Sequence, residues 1–146
     1  MKKITTLFFI ATLLLVSCNS NKTKNTDKNL TDLGKDRIEI LDFYGKHRCT
    51  SCVNIENHTK KVLDNYYKKE QESKQVVFKL IQWDIPENEA ITDKFMAAGT
   101  SLFIYRIKDG KEYVSDISDF AFKKSADAVA FEKGFRERLD AELKKQ

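Results

Sequence analysis

The chain has 146 residues, a one-domain length, with 41% apolar and 33% charged residues, five Gly and one Pro. That composition excludes a collagen-like chain, a Pro/Gly-rich disordered chain and a multi-span membrane protein. The 26 basic and 22 acidic side chains give +4, and charge so mixed makes no case for nucleic-acid binding.

The chain opens with a basic Met1-Lys2-Lys3 and an apolar run from Ile4 to Val16. Spanning a bilayer takes roughly 20 apolar residues, so residues 1–17 read as a signal peptide rather than a stable anchor. Its end, Leu15-Val16-Ser17-Cys18, resembles the bacterial lipobox. The resemblance implies that Cys18 becomes the lipid-modified first residue of a lipoprotein, held at the membrane by its acyl chains. Cleavage would remove Lys2 and Lys3 and leave 24 basic against 22 acidic residues, or +2. Export places the remaining two cysteines in an oxidising compartment. From Asn19 to Asp36 the chain holds four Asn, four Lys, three Thr and three Asp, with only Leu30 and Leu33 as large apolar residues. Too polar to bury a core, residues 18–36 read as a lipidated Cys and flexible tether.

The folded domain is expected over 37–146. Arg37 to Tyr44 is rich in β-branched and aromatic residues and is stopped by Gly45, which predicts a strand. From about Thr50 to Glu70, Cys52, Ile55, Thr59, Leu63 and Tyr66 recur at three- and four-residue steps, which predicts a helix. Val76 to Trp83 is nearly continuous in large apolar residues and predicts a strand covered on both faces. Pro86 and Glu87 open a second helix expected to run to Ala98 and to stop at Gly99. Leu102–Ile107 and Glu112–Ile117 flank Lys108-Asp109-Gly110-Lys111, a strong hairpin signal. Ser125 is the expected cap of a last helix with an apolar stripe of Ala128, Phe131, Phe135, Leu139 and Leu143, and Gly134 as its weak point. The expected fold is α/β in the order β-α-β-α-β-β-α. It has parallel first strands, a right-handed crossover, a closing antiparallel hairpin at the sheet edge, and helices on both faces.

Between the first strand and the first helix lies Gly45-Lys46-His47-Arg48-Cys49-Thr50-Ser51-Cys52. Cysteines at i and i+3 share one helix face within bridging range. A cysteine at a helix N-terminus lies near unpaired backbone N–H groups, which favour thiolate; Lys46 and Arg48 add positive charge, and His47 adds more when protonated. Cys49 is therefore the expected exposed nucleophile and Cys52 the less accessible resolving thiol. The same residues allow a different class of function, in which His47, Cys49 and Cys52 bind copper or zinc. A purely structural bridge would close too short a loop to add much stability.

This motif, with Leu41-Asp42-Phe43-Tyr44 before it, Lys79 to Asp84 as the next strand, Phe95 through Tyr105 and the Lys108–Lys111 turn, resembles the thioredoxin family over the whole expected domain. The resemblance implies thiol–disulfide exchange with the disulfides or thiols of a client protein and no organic cofactor. Together with the signal peptide and the lipobox-like end at Cys18, it predicts a monomer in the cell envelope, on the periplasmic or extracytoplasmic side of a bacterial membrane, with a membrane electron donor if the chain reduces its clients. Some similar small lipoproteins carry the label of a nitro-compound reductase subunit. Asp42 matches the family's strand carboxylate, a proton acceptor for the inner cysteine, although its spacing to Cys49 is one residue longer. Thr50-Ser51 replaces the usual Gly-Pro between the cysteines. Thr100 falls where relatives carry a cis-proline, and a trans bond is expected there because a non-proline cis bond costs about 3 kcal/mol or more.

Of the other polar and aromatic residues, His58 is expected to be a solvated surface histidine, and Trp83 a core residue of the buried strand. Tyr66 and Tyr67 with Lys60-Lys61 and Lys68-Lys69 read as an exposed helix end. Phe120 and Phe122 read either as core or as part of a partner groove.

Overall fold

A computed structural model describes residues 35–146. The readings of a signal peptide, of lipidation at Cys18 and of nearly all the tether lie outside the described residues. No helix among the described residues is long and apolar enough to cross a membrane.

The described residues form a mixed α/β fold of four strands and five helices. The elements in order are β1 (Arg37–Tyr44), α1 (Thr50–Tyr66), α2 (Lys68–Glu72), β2 (Val76–Gln82), a 3-10 turn (Pro86–Asn88), α3 (Glu89–Phe95), β3 (Ser101–Lys108), β4 (Lys111–Asp116), α4 (Ser118–Lys124) and α5 (Ala128–Leu143). The sheet order is β2-β1-β3-β4. β1 runs parallel to β2, with Ile40 opposite Phe78. It runs antiparallel to β3, with Ile40 opposite Ile104.

Alternation along the two central strands splits the core in two. Ile38 and Ile40 of β1 and Leu102 and Ile104 of β3 pack with Ile55, Leu63, Phe131, Phe135 and Leu139 of α1 and α5. Leu41, Phe43, Phe103, Tyr105 and Ile107 face the other way, onto Ile91 and Phe95 of α3. Helices therefore cover both faces, as expected. The hairpin also forms as expected: Asp109 and Gly110 have φ of 50° and 69°, the two positive values a two-residue type I′ turn requires. Asp36, last residue of the expected tether, is fastened to that turn: its carboxylate accepts from the Asp109 N–H at 2.8 Å and pairs with Lys108 at 3.1 Å.

Several expectations need correction. β2 is an edge strand: Val76 and Phe78 pack into one core cluster and Ile81 into the other, but Leu80 is exposed, so its two faces are covered only in part. β3 is internal, so only β4 of the hairpin lies at an edge. The first helix breaks at Tyr67, whose buried side chain turns to α5 and donates to Asp140 Oδ1 at 2.7 Å. Tyr67 is therefore core rather than exposed helix end. The second helix divides into a 3-10 turn and α3, and stops at Met96 rather than Gly99. α4 was not foreseen. Its Phe120 is half-buried against Phe131, and Phe122 is exposed. α5 is capped by Asp127, which accepts from the Ala130 N–H at 2.9 Å, and not by Ser125. Gly134 is no weak point: a Cβ there would meet the Phe120 ring at 2.4 Å, so glycine lets α4 approach α5.

Candidate functional site

The loop from Gly45 to Cys49 leaves the C-terminal end of β1 and delivers the chain to the N-terminus of α1. It is pinned to the end of β2. Trp83 N–H donates to the Tyr44 carbonyl at 2.9 Å, and Lys46 N–H donates to Asp84 Oδ2 at 2.8 Å. Gly45 lies so close to the Trp83 indole that a Cβ would meet Nε1 at 2.9 Å. Trp83 is accordingly half-buried against the α3-side core rather than enclosed within it.

Cys49 is the N-cap of α1, with extended backbone (φ −79°, ψ 164°). Its sulfur is bonded to Cys52 in a disulfide with Cα atoms 5.1 Å apart. The same sulfur accepts a hydrogen bond from the Cys52 N–H at 3.1 Å, satisfying one of the four N–H groups a helix start leaves unpaired. Cys49 is exposed, whereas Cys52 is 6% exposed. The two sulfurs of one bond thus differ in access: an incoming group reaches Cys49 first.

Arg48 is held against the start of α1. Its Nη1 donates to Glu56 Oε2, its Nη2 reaches the Cys52 carbonyl at 3.4 Å, and its guanidinium lies 4.9 Å from the Tyr44 ring centroid. Lys60, one turn beyond Glu56, donates to that carboxylate's other oxygen. Glu56 is nearly buried. Although burial alone would raise its pKa, the two cationic partners hold it below the usual carboxylate range.

Asp42 shares the face of β1 that carries Ile38 and Ile40 toward α1. It is fully buried, and neither carboxylate oxygen has a hydrogen-bond partner among the described residues. Burial, reinforced by the Glu56 charge and opposed by Arg48 and Lys60, pushes its pKa up to about 7. A carboxyl in that range can take or give a proton near neutral pH.

Of the residues singled out from sequence, the fold gathers Asp42, Arg48, Cys49 and Cys52 around the first turns of α1. Lys46 and His47 are exposed in the preceding loop. Thr100 is half-buried just before Ser101, the partner of Phe43, and so lies at the same end of the sheet as the cysteine loop. All peptide bonds among the described residues are trans, that of Thr100 included. Among the described residues no three His, Cys, Asp or Glu side chains are grouped to hold a metal ion. His58 is not a solvated surface histidine; its Nε2 lies 3.1 Å from the Ser125 carbonyl and its ring 5.4 Å from that of Phe131.

Sequence reasoning passed over Glu56, Tyr44 and Asp84. For Glu56 a signal was present: it follows Cys52 by four residues and precedes Lys60 by four, on the buried stripe of the helix.

No protein-family model matches this chain, and no curated protein does. A solved structure described as "Structure of a malarial protein" is 19% identical, covers 60% of this chain and 94% of its own, and has a TM-score of 0.39. That likeness is too weak to bear on fold or function.

Proposed function

We propose that the chain is a thioredoxin-like thiol–disulfide oxidoreductase of the cell envelope, working through Cys49 and Cys52. The observation that carries this reading is the asymmetric disulfide at the start of α1, its exposed sulfur capping the helix and its partner sulfur buried. The parallel β1-α1-β2 unit, the mixed sheet and the buried Asp42 support it.

In the reduced form, the Cys49 thiolate attacks one sulfur of a client disulfide. The client S–S bond breaks, a mixed disulfide forms, and the other client sulfur leaves as a thiolate and takes up a proton. Cys52 then gives up its proton, with Asp42 as the nearby acceptor, and its sulfur attacks Cys49. The Cys49–Cys52 bond re-forms and the second client thiol departs. Two electrons pass from the dithiol to the client, so continued reduction needs a thiol or membrane electron donor; run backwards, the same steps oxidise a client dithiol. Arg48 steadies the loop that carries the attacking sulfur, His47 stands exposed in that loop, and Thr100 presents backbone beside it.

Residues 1–17 serve as the export signal, Cys18 as the lipid attachment point and 18–36 as the tether of a monomeric domain over 37–146, on the periplasmic or extracytoplasmic side of a bacterial membrane. The lipobox-like ending at Cys18 supports this placement.

The test equilibrates the chain across thiol–disulfide buffers with a chelator present, and counts alkylated cysteines by mass. A reversible two-electron transition of the Cys49–Cys52 pair, with catalysis of insulin disulfide reduction that Cys49→Ser abolishes, is the expected result. Absence of a reversible transition would overturn the proposal.

A further inference from the structure

Against the cysteine loop lies a groove of about 600 Å³, between the end of β2 and both ends of α3. Its apolar lining includes Trp83, Ile85, Pro86 and Met96. Trp83 is the residue against which Gly45 packs, so one wall of the groove touches the loop that leads to Cys49. Asp84, whose carboxylate holds the Lys46 N–H, is a second shared element.

The groove's charge has one sign. Asp84, Glu89 and Asp93 line it, and no lysine or arginine does. Glu89 and Asp93 take part in no ion pair among the described residues. A surface of apolar floor and uncompensated carboxylates is complementary to a cationic, partly apolar segment.

Met96 gives an independent indication. It ends α3 in the left-handed conformation (φ 51°, ψ 38°), where helices commonly place glycine and other side chains are uncommon. Its side chain is 88% exposed. A large apolar side chain is thus kept in solvent, on the lip of the groove, at a position where glycine would fit with less strain.

We propose that this groove is the client-docking surface of the exchange site, and that it takes an extended client segment bearing a Lys or Arg and a large apolar side chain near its cysteine. The inference rests on the exchange reaction above and names its substrate class. Docking there brings the client sulfur to the exposed Cys49 rather than to the buried Cys52. The cationic side chain meets Glu89 and Asp93 while the apolar one meets Trp83 and Met96.

The experiment reacts the reduced full chain with three disulfides: hydroxyethyl disulfide, a disulfide-bonded peptide with Leu and Arg beside its cysteine, and the same peptide with Glu in place of Arg. Acid quenching and alkylation follow the re-formation of Cys49–Cys52. Each peptide rate is divided by the hydroxyethyl disulfide rate of the same variant. At low salt the Arg peptide should outpace the Glu peptide about tenfold, narrowing to about twofold in half-molar salt. The double variant Glu89→Gln, Asp93→Asn should bring the two peptides close to parity. Met96→Gly should lower the normalised rate of both peptides several-fold while melting no lower than the parent. Equal rates for the two peptides, a preference that survives in the double variant, or a Met96→Gly chain with the parent's normalised peptide rates would overturn the docking surface and leave the exchange chemistry standing. Failure to react even with hydroxyethyl disulfide would overturn the exchange reading and the docking surface together.

Discussion

The sulfur of Cys49 is at once one half of the disulfide to Cys52 and the acceptor for the Cys52 backbone N–H, at 3.1 Å. The group to be attacked or to attack is therefore the cap of the helix that carries its partner. Reduction breaks the S–S bond and leaves the capping position in place, with a sulfur whose negative charge the helix N-terminus favours. Cys52, beneath it, is shielded by the first turn of α1.

This geometry separates the two cysteine variants. Serine is a good N-cap, and the bridge spans only three residues, so Cys49→Ser should fold with stability within about 1–2 kcal/mol of the parent yet lose all exchange. Cys52→Ser keeps the attacking sulfur and removes the resolving one. It should accumulate a one-to-one mixed disulfide with a client peptide, visible by intact mass. A Cys52→Ser chain that turns over many equivalents would show that Cys52 is not the resolving sulfur.

Asp42 should tie stability to pH. Its carboxyl keeps its proton up to about pH 7 in the folded chain, against an ordinary value of 3.8. Between those values the folded state holds a proton that the unfolded state has released, so stability falls as pH rises through this window. The loss is complete somewhat above pH 7 and is on the order of 4 kcal/mol. Asp42→Asn cannot ionise. Urea unfolding of both proteins should show the variant's stability, relative to the parent's, rising from pH 4 to 7 and then levelling. Parallel curves would mean that Asp42 is ionised throughout.

At Gly134 two effects oppose each other. Alanine gains roughly 1 kcal/mol over glycine in a helix interior. Its Cβ, however, would lie 2.4 Å from the Phe120 ring and 3.3 Å from the Arg138 side chain that covers that ring. Overpacking of this kind costs about 1–3 kcal/mol, so Gly134→Ala should lower the melting temperature. The pair Gly134→Ala, Phe120→Leu should recover part of the loss.

The contrast between Gly134 and Gly110 shows what the sequence disclosed and what it did not. Gly110 sits in an Asp-Gly turn between two apolar runs, and its role was legible from four residues. The role of Gly134 depends on Phe120, fourteen positions away and in a helix whose seven residues are too few for a clear helical period. β1, β2 and the start of α1 were legible because a strand or a cysteine pair is a local pattern. The break at Tyr67 was not, because a tyrosine that leaves its helix to reach Asp140 looks, beside Tyr66 and between pairs of lysines, like part of an exposed helix end. Likewise Met96 carries no sign that it takes a left-handed conformation. At the site, both cysteines and Asp42 stood out by residue type and place, whereas Glu56 was marked only by its four-residue spacing from Cys52 and Lys60. Its burial follows from Arg48, which the fold turns back onto the helix.

The charge of Glu56 acts on its three charged or titratable neighbours in opposite senses. It anchors Arg48 and Lys60, and it raises the pKa of Asp42. In Glu56→Gln the partly buried Arg48 loses its counter-ion, and a cost of about 1–3 kcal/mol is expected, between the values for surface and buried pairs. The same change removes a negative charge near Asp42 while Arg48 and Lys60 remain, so Asp42 should titrate at lower pH. The effect of Asp42→Asn on stability, measured in the Glu56→Gln background, should then level off at a lower pH than in the parent. A general loosening of α1 would lower stability without moving that midpoint. Rescue by Glu56→Asp, which restores the charge on a shorter arm, should return the midpoint more fully than the stability, since Coulomb interaction outreaches a hydrogen bond.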